Sequence, residues 1–428
     1  MPQFNAILRK SGVAWLWLAL WLISGSSVFG QGIALRGISA INSSMGGAAA
    51  ACPIDAAGAL HWNPASISGL PSSEMSFGME MILPSSTLAS SYHSWAGSDS
   101  SEPGVISVPT MAFVHKDPNS PWSWGVGVFG IGGSAVNYSC DHANPILSPQ
   151  PIGLGQLSAN VEIFQIVPTV SYQLNEEWSI GFAPTLTTAK LYAAPLFLAP
   201  KSDDGTWPSG AGTRYTWGGG CQAGLYYKPE LSNWSYGASI KSPQWMEPFR
   251  YKSEDSNGDP MTIDYGLNYP LIASIGTAYT GFDRWVLACD VRYFDYANTP
   301  GFRHLGFTTE GAAQGLQWNS IMAVALGIQR QMNERWTVRM GYCFNENPID
   351  SAAVQANVAS PLVIMHTMSM GFSYMFEHDW LLSLTYTHCF ENSVTGSLQT
   401  IKGVAIPGTS LTSTASADTI SAGVTKRF

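Results

Sequence analysis

The chain has 428 residues, of which 11% are charged, and its formal net charge is −9 at pH 7. Soluble domains usually contain about 25% charged residues, so the composition counts against an ordinary soluble enzyme. The 16 Trp, 17 Tyr and 18 Phe residues exclude a disordered chain, and the acidic balance argues against nucleic acid as a partner. The main apolar run, residues 13–23, is shorter than the roughly 18 residues of a membrane-spanning helix. Strands with one face against lipid would produce such thinly spread hydrophobicity.

The first thirty residues have the pattern of a secretory signal peptide. Arg9 and Lys10 precede the apolar run, and small residues follow it. Val28 and Gly30 fit the −3 and −1 positions of a cleavage site, which predicts a mature chain that starts at Gln31. An N-terminal membrane anchor is the alternative.

Six cysteines are scattered along the chain without a CxxC motif and without histidines at metal-ligand spacing. The sequence therefore predicts no metal site and no cofactor. A disulfide between Cys52 and Cys140 is an open alternative for an exported protein.

From about residue 73 onward, apolar and polar residues alternate in runs separated by turn residues, a pattern that predicts antiparallel strands. In residues 366–376, for example, Met368 and Met370 share one face while Thr367 and Ser369 share the other. The fourteen predicted strands span residues 73–83, 108–116, 122–131, 158–174, 177–192, 215–228, 233–252, 262–280, 284–297, 317–332, 335–346, 362–377, 379–393 and 417–428.

The connections between these strands alternate between tight turns and mostly longer loops. Outer-membrane barrels have this asymmetry, with short periplasmic turns and longer extracellular loops. Tryptophans also stand just after the tight turns, in phase with the apolar face, which predicts a periplasmic aromatic girdle. They are Trp122, Trp124, Trp178, Trp234, Trp285, Trp336 and Trp380. The sequence thus predicts an all-β, fourteen-stranded antiparallel transmembrane barrel with both termini periplasmic.

Residues 31–72 do not alternate and are rich in Gly, Ala and Ser. A fourteen-stranded barrel encloses a lumen wider than side chains alone can fill, and small residues allow close packing. We therefore predict that residues 31–72 form a plug inside the barrel of residues 73–428. A periplasmic linker is the alternative.

The Gly46-Gly-Ala step, the Asp55-Ala-Ala-Gly stretch and Asn63-Pro64-Ala65 together resemble the N-terminal hatch of the FadL/OmpP1/TodX family. This family comprises outer-membrane transporters of long-chain fatty acids and other hydrophobic compounds. The likeness continues in order through Leu174-Asn175, Trp178–Gly181, Tyr236–Ser242, Ala325–Gly327, Trp336–Gly341 and the final Phe428. The resemblance implies an outer-membrane barrel with a hatch, and passive uptake of a hydrophobic ligand with a sideways exit. It also implies that the barrel assembly machinery recognises Phe428.

A carboxylate head group would need a cation or backbone donors, and inward-facing basic residues are candidates. Lys241 lies on the lumen phase of its strand and is followed by Ser242, and the resemblance implies a basic residue and a serine at this place, so these two are the first choice. Arg339, which also lies on the lumen phase, is the second choice. Arg292 is also on the lumen phase, but Asp290 two positions away could occupy it. The resemblance also places the mature N-terminal tail, including Ile33 and Leu35, near the ligand.

The third predicted strand is interrupted by glycines, which weaken a strand and mark bulges or bends. The resemblance implies a lateral gate at Gly130, Gly132 and Gly133, whereas close packing of the wall against the plug is the alternative. The predicted loops 193–214 and 253–261 are shorter than the loops that form the surface capture groove in well-known family members, so that groove is in question here. The second loop contains alternating Asp and Asn residues from Asp255 to Asp259, which predict an Asx turn; Ca²⁺ binding is the alternative.

Three rival functions are considered from sequence. A hydrophilic porin needs facing rings of charge, and an outer-membrane enzyme such as a protease or phospholipase needs a nucleophile or acid–base set near the rim. A surface adhesin or purely structural barrel is the third rival. Sparse lumen charges and unpaired histidines favour a transporter whose partners are a hydrophobic small molecule and membrane lipid.

Overall fold

The computed structural model describes residues 31–254, 259–400 and 403–428. The predicted signal peptide and most of the Asp255–Asp259 turn lie outside this part of the chain. Among the described residues, no helix is both long and apolar enough to cross a membrane.

Within the described residues, fourteen antiparallel strands form a closed barrel, which confirms the predicted fold class. The last strand closes the barrel on the first, with a register that runs from Glu74 opposite Arg427 to Tyr92 opposite Thr409. The barrel strands are β1 (Glu74–Tyr92), β2 (Ile106–Lys116), β3 (Trp122–Tyr138), β4 (Leu157–Gln173), β5 (Trp178–Ala194), β6 (Arg214–Tyr227), β7 (Trp234–Lys241), β8 (Ile272–Tyr279), β9 (Trp285–Phe294), β10 (Ile321–Gln331), β11 (Trp336–Asn345), β12 (His366–Met375), β13 (Trp380–Gly396) and β14 (Thr409–Arg427).

Side chains along these strands face the outside and the lumen alternately, as the sequence pattern predicts. On β12, Met368 and Met370 are exposed on the outer face, whereas Thr367 and Ser369 are buried on the inner face. In lipid an unpaired backbone group costs several kcal/mol, and closure of β14 on β1 removes the free edges of the sheet.

The tight turns all lie at one end of the barrel, where the two ends of the barrel sequence also meet: the Phe428 amide donates to the Ser73 carbonyl (3.0 Å). Six of the predicted girdle tryptophans are the first residues of their strands, which places them at this end. Several pack against a tyrosine of the next strand, as Trp178 does on Tyr227 at 4.3 Å between ring centroids. This end has the short turns and aromatic belt typical of the periplasmic side.

Several predicted boundaries were wrong. Strands β1 and β14 extend further into the long loops than predicted, because they pair with each other over their full length. The predicted strands 233–252 and 262–280 are each broken: β7 ends at Lys241 and β8 begins at Ile272. Between them, short strands Phe249–Glu254 and Pro260–Tyr265 form a hairpin outside the barrel sheet. The connection between β7 and β8 is therefore long. The predicted short loop 253–261, which was the reason to question a surface capture groove at this position, was wrong.

The remaining short elements lie outside the barrel wall proper. Residues Trp95–Ser100 form a strand beside the outer end of β1, and Trp245–Met246 pair with β6. Three 3₁₀ turns cover Pro145–Leu147, Val354–Asn357 and Glu377–Asp379.

The Cys52–Cys140 disulfide that the sequence left open does not form, because all six cysteines, which belong to the described part of the chain, are free thiols. Cys52 is buried within the N-terminal segment, whereas Cys140 is exposed in the loop after β3.

The N-terminal segment lies inside the barrel. It contains helix α1 (Ala40–Ser44), helix α2 (Ala56–Trp62) and a 3₁₀ helix (Pro64–Gly69), and none of residues 31–70 is exposed. Helix α1 contacts β11–β14, α2 contacts β1–β4, and the 3₁₀ helix contacts β3–β6. The segment thus touches opposite sectors of the wall, as expected for a plug.

Glycines on the inner wall make room for this segment. A Cβ atom on Gly237 would lie 1.9 Å from the Ala50 carbonyl oxygen, and one on Gly224 would lie 2.0 Å from the Asn63 side chain. A larger residue at Gly237 would require a shift of the plug backbone, and one at Gly224 would displace the Asn63 side chain. The wall glycines in direct contact with the segment include Gly181, Gly224, Gly237, Gly276, Gly327 and Gly341.

Candidate ligand site

Strand β3 contains a bulge at its glycine-rich segment. Gly130 pairs with Phe164 of β4 and Gly132 pairs with Ile163, so Ile131 is an extra residue without a partner in β4. A bulge bends a strand and releases its backbone groups from the ladder. The predicted interruption of the third strand therefore exists at Gly130–Gly132.

Pairing between β2 and β3 stops at this bulge. The β2–β3 register ends at Thr110 opposite Phe129, whereas β2 continues beside β1 as far as Ile106. Toward the long-loop end of the barrel, beyond the point where this pairing stops, the Glu102 amide donates to the Asn137 carbonyl (2.8 Å). Between these levels the described strands leave a gap in the backbone pairing of the wall.

The N-terminal tail pairs with β3 from inside the barrel at the same level. The Leu35 amide donates to the Ile131 carbonyl (2.9 Å), and the Gly133 amide donates to the Ile33 carbonyl (3.1 Å). The Tyr296 hydroxyl donates to the Gln31 carbonyl (2.6 Å). The tail thus lies between the bulge and residues of the long-loop end.

A cavity of about 160 Å³ lies between the tail and the gap. Its wall is mainly apolar and comprises the tail, residues of β1–β4 near the bulge, and parts of β11–β14. Contributing apolar side chains include Ile33, Leu35, Ile82, Val108, Ile163 and Phe164. Gly130, Gly132 and Gly133 also line it, so the predicted tail and gate residues come together at one place.

Three charged side chains reach the cavity wall. Glu162 pairs with Lys190 at 2.8 Å, and Glu80 accepts hydrogen bonds from Ser43 (2.7 Å) and Ser421 (2.8 Å). Arg36 has a different environment, because its Nη1 atom contacts only the Cys389 sulfur (3.5 Å) and its buried Nε atom has no partner among the described residues.

Lys241 lies in a separate polar cluster. Its Nζ atom donates to the Gln165 side-chain oxygen (3.1 Å) and lies 3.4 Å from Nδ1 of His61. Burial, with Lys241 and Arg292 nearby, lowers the pKa of His61 well below its ordinary value. Ser242 accepts a hydrogen bond from the Cys221 amide (2.9 Å). The cavity wall includes neither Lys241 nor Ser242.

Two inward-facing arginines of the wall, Arg339 and Arg292, are also held by other groups. Arg339 donates to Gln329 (2.7 Å) and Ser373 (2.6 Å) and does not line the cavity. Arg292 forms the ion pair with Asp290 that its spacing suggested, at 2.9 Å, and also lies 3.4 Å over the Trp62 ring.

The hatch motif has a visible structural role. Asp55 caps helix α2 by accepting a hydrogen bond from the Gly58 amide (3.2 Å) and one from the Ser39 hydroxyl (2.7 Å), and burial raises its pKa. The Asn63 side chain caps the next helix at the Ala65 amide (3.1 Å) and donates to the Leu225 carbonyl of the wall (2.9 Å). Pro64 occupies the first position of that 3₁₀ helix, where its missing N–H group costs nothing.

Sequence reasoning missed several cavity residues. Arg36 directly follows the predicted tail, and Glu80 and Val108 fall within predicted strands. The inward phase of Glu80 was readable from the alternation of β1. Its proximity to Arg36 and Val108 depends on closure of the barrel and on the bulge, and neither is encoded in local periodicity.

The family model described as outer membrane protein transport protein (OMPP1/FadL/TodX) matches residues 22–428, so the chain belongs to this family of outer-membrane proteins. No curated protein matches in a sequence comparison. Among solved structures, the fold is similar to that of the Pseudomonas putida toluene transporter TodX, with a TM-score of 0.68 and 17% identity over 92% of this chain and 99% of that chain. A Pseudomonas aeruginosa FadL homologue gives a TM-score of 0.71 with 13% identity over 93% of this chain and 100% of that chain. The Ralstonia pickettii toluene transporter TbuX gives a TM-score of 0.64 with 14% identity over 92% of this chain and 99% of that chain.

Proposed function

We propose that this protein takes up small hydrophobic compounds across the outer membrane by passive diffusion, through the cavity beside the tail and out through the gap between β2 and β3. One observation carries the proposal: an apolar cavity lies directly behind a break in the wall pairing. An apolar ligand gains about 0.8 kcal/mol for each buried CH₂ group, so such a cavity supplies affinity without a polar site.

The size of the cavity indicates the size of the ligand. A cavity of about 150 Å³ lined by aliphatic and aromatic side chains is known to bind benzene, and the cavity here is about 160 Å³. It therefore suits a single ring or a short alkyl chain, whereas a long-chain fatty acid would have to extend into the gap.

The N-terminal segment also fits this function better than it fits a hydrophilic porin. Residues 31–70 pack against the wall without an exposed member, which leaves little room for a steady aqueous path. We further propose that residues 1–30 are removed as a signal peptide and that Phe428, exposed at the short-turn end, is recognised by the barrel assembly machinery.

The test is to narrow the gap while leaving the barrel intact. A Cβ atom on Gly130 would lie 2.2 Å from Cγ1 of Val108, on the other side of the gap. Gly130→Ala should reduce uptake of labelled octanoate and 1-octanol by cells, and Gly130→Leu should reduce it severalfold more.

Gly423→Ala is the matched control, because its new Cβ atom would make only an ordinary contact of 3.4 Å. Barrel assembly is checked for each variant by heat-modifiable gel mobility. Normal uptake by the assembled Gly130→Leu protein would argue against exit through this gap.

A further inference from the structure

Arg36 is a cation on the cavity wall that has no carboxylate partner among the described residues. None of the ion pairs in the described residues includes Arg36, whereas the other two charged side chains on the cavity wall already have partners. Among the described residues, its one side-chain hydrogen bond goes to a thiol sulfur, which is a weak acceptor. A half-buried guanidinium in an apolar wall is costly until an anion pairs with it.

The geometry selects the class of anion. A guanidinium presents a planar fork of N–H donors that matches the two oxygens of a carboxylate. The rest of the cavity is mainly apolar. A molecule with one carboxylate and a compact apolar body would satisfy both features at once.

We propose that Arg36 binds the carboxylate of a small amphiphilic acid, such as a medium-chain alkanoic or aromatic acid, whose apolar part fills the cavity. This deepens the proposed function and rests on it, since it names the substrate class of the same cavity. It also assigns the head-group contact to the tail rather than to the wall residues Lys241 and Arg339, which donate to Gln165 and to Gln329 and Ser373 and lie outside the cavity wall.

The experiment compares an acid with its uncharged analogue of the same chain length. Purified protein in amphipol is dialysed at neutral pH against labelled octanoate or labelled 1-octanol. Arg36→Met should weaken octanoate binding about 10- to 100-fold, the loss expected for a hydrogen-bonded charge pair, and should leave 1-octanol binding nearly unchanged. Arg36→Lys should recover part of the loss, because lysine keeps the charge without the planar fork.

Lys116→Met is the matched control, because this cation contacts the plug at the Ser68 and Leu70 carbonyls and lies outside the cavity wall. It should change neither ligand's affinity. If Arg36→Met leaves octanoate binding intact, or if Lys241→Met alone produces the selective loss, the assignment to Arg36 is wrong while the channel proposal stands. If the wild-type protein binds neither compound, the proposed function fails as well.

Discussion

At the scale of single residues, the lumen contains a lysine beside a buried histidine. Lys241 and His61 lie 3.4 Å apart, and both are buried. Two positive charges at this distance would repel strongly in a medium of low polarity. The imidazole is therefore neutral, in accord with the lowered pKa that burial chiefly causes.

This arrangement predicts a pH dependence of stability. Free histidine titrates near pH 6.5, but folded His61 titrates well below that value. As the pH falls below 6.5 the unfolded chain takes up a proton that the folded protein excludes, so the free energy of unfolding decreases. One such group contributes at most about 1.4 kcal/mol per pH unit.

The measurement is denaturant unfolding between pH 7 and pH 5, for the wild-type protein and for His61→Gln. The raised pKa of Asp55 acts in the opposite direction. Since this carboxyl binds its proton more tightly in the folded state, it makes the free energy of unfolding decrease as the pH rises. The difference between the two proteins isolates His61. Identical pH slopes would show that His61 titrates normally.

At the scale of elements, the tail and β3 depend on each other. A Cβ atom on Gly132 would lie 2.7 Å from the Ile33 carbonyl oxygen, and a backbone atom cannot rotate away. Gly132→Ala should therefore displace the tail from the bulge and break the bond between the Leu35 amide and Ile131. Hydrogen exchange measured by mass spectrometry should show faster exchange of the peptide that contains Leu35.

Gly423→Ala is again the control, since its Cβ atom would come no closer to any atom than 3.4 Å, from the Phe77 carbonyl oxygen. Unchanged protection at Leu35 in Gly132→Ala would mean that the tail is held elsewhere, for example through the Tyr296 hydroxyl at Gln31.

Local pattern predicted the strands but not where they leave the sheet. Met368 and Met370 alternate with buried polar residues because one face meets lipid, and that signal is strong. Beyond Lys241, Trp245, Phe249 and Tyr251 continue an alternation, although they belong to the excursion between β7 and β8. Periodicity reports that one face is apolar; whether that face meets lipid or a loop hairpin depends on which strand pairs alongside.

The site was predictable to a similar extent. The glycine-rich third strand pointed to Gly130 and Gly132, and the tail was placed near the ligand by resemblance to a family. Whether an inward-facing cation is free or occupied depends on partners distant in sequence. Lys241 forms polar contacts with His61 and Gln165, whereas the Arg36 side chain has a hydrogen bond only to Cys389 in the part of the chain that the structure describes. No local pattern distinguishes the two.

At the scale of the whole molecule, a buried charge pair joins the plug to the wall. The Asp290 carboxylate of β9 accepts hydrogen bonds from the Ala49 (2.8 Å) and Ala50 (3.0 Å) amides, and it pairs with Arg292. Arg292 in turn donates to the Gly47 carbonyl and stacks on Trp62 of helix α2. A short stretch of plug backbone is thereby fixed to one side of the barrel.

This attachment predicts how the closed barrel can be opened. Asp290→Ala leaves Arg292 buried without its counter-charge and frees two plug amides, a change that costs about 3–5 kcal/mol. The wild-type protein should show no steady conductance in planar bilayers, whereas Asp290→Ala should show openings as the plug loosens. The double variant Asp290→Ala/Arg292→Met also removes the unpaired charge and should conduct less than the single variant. Replacing both members of a buried ion pair with apolar residues costs much less stability than removing only one member. A wild-type barrel that conducts steadily would favour the hydrophilic porin, and an Asp290→Ala barrel that stays closed would show that the remaining contacts hold the plug without this pair.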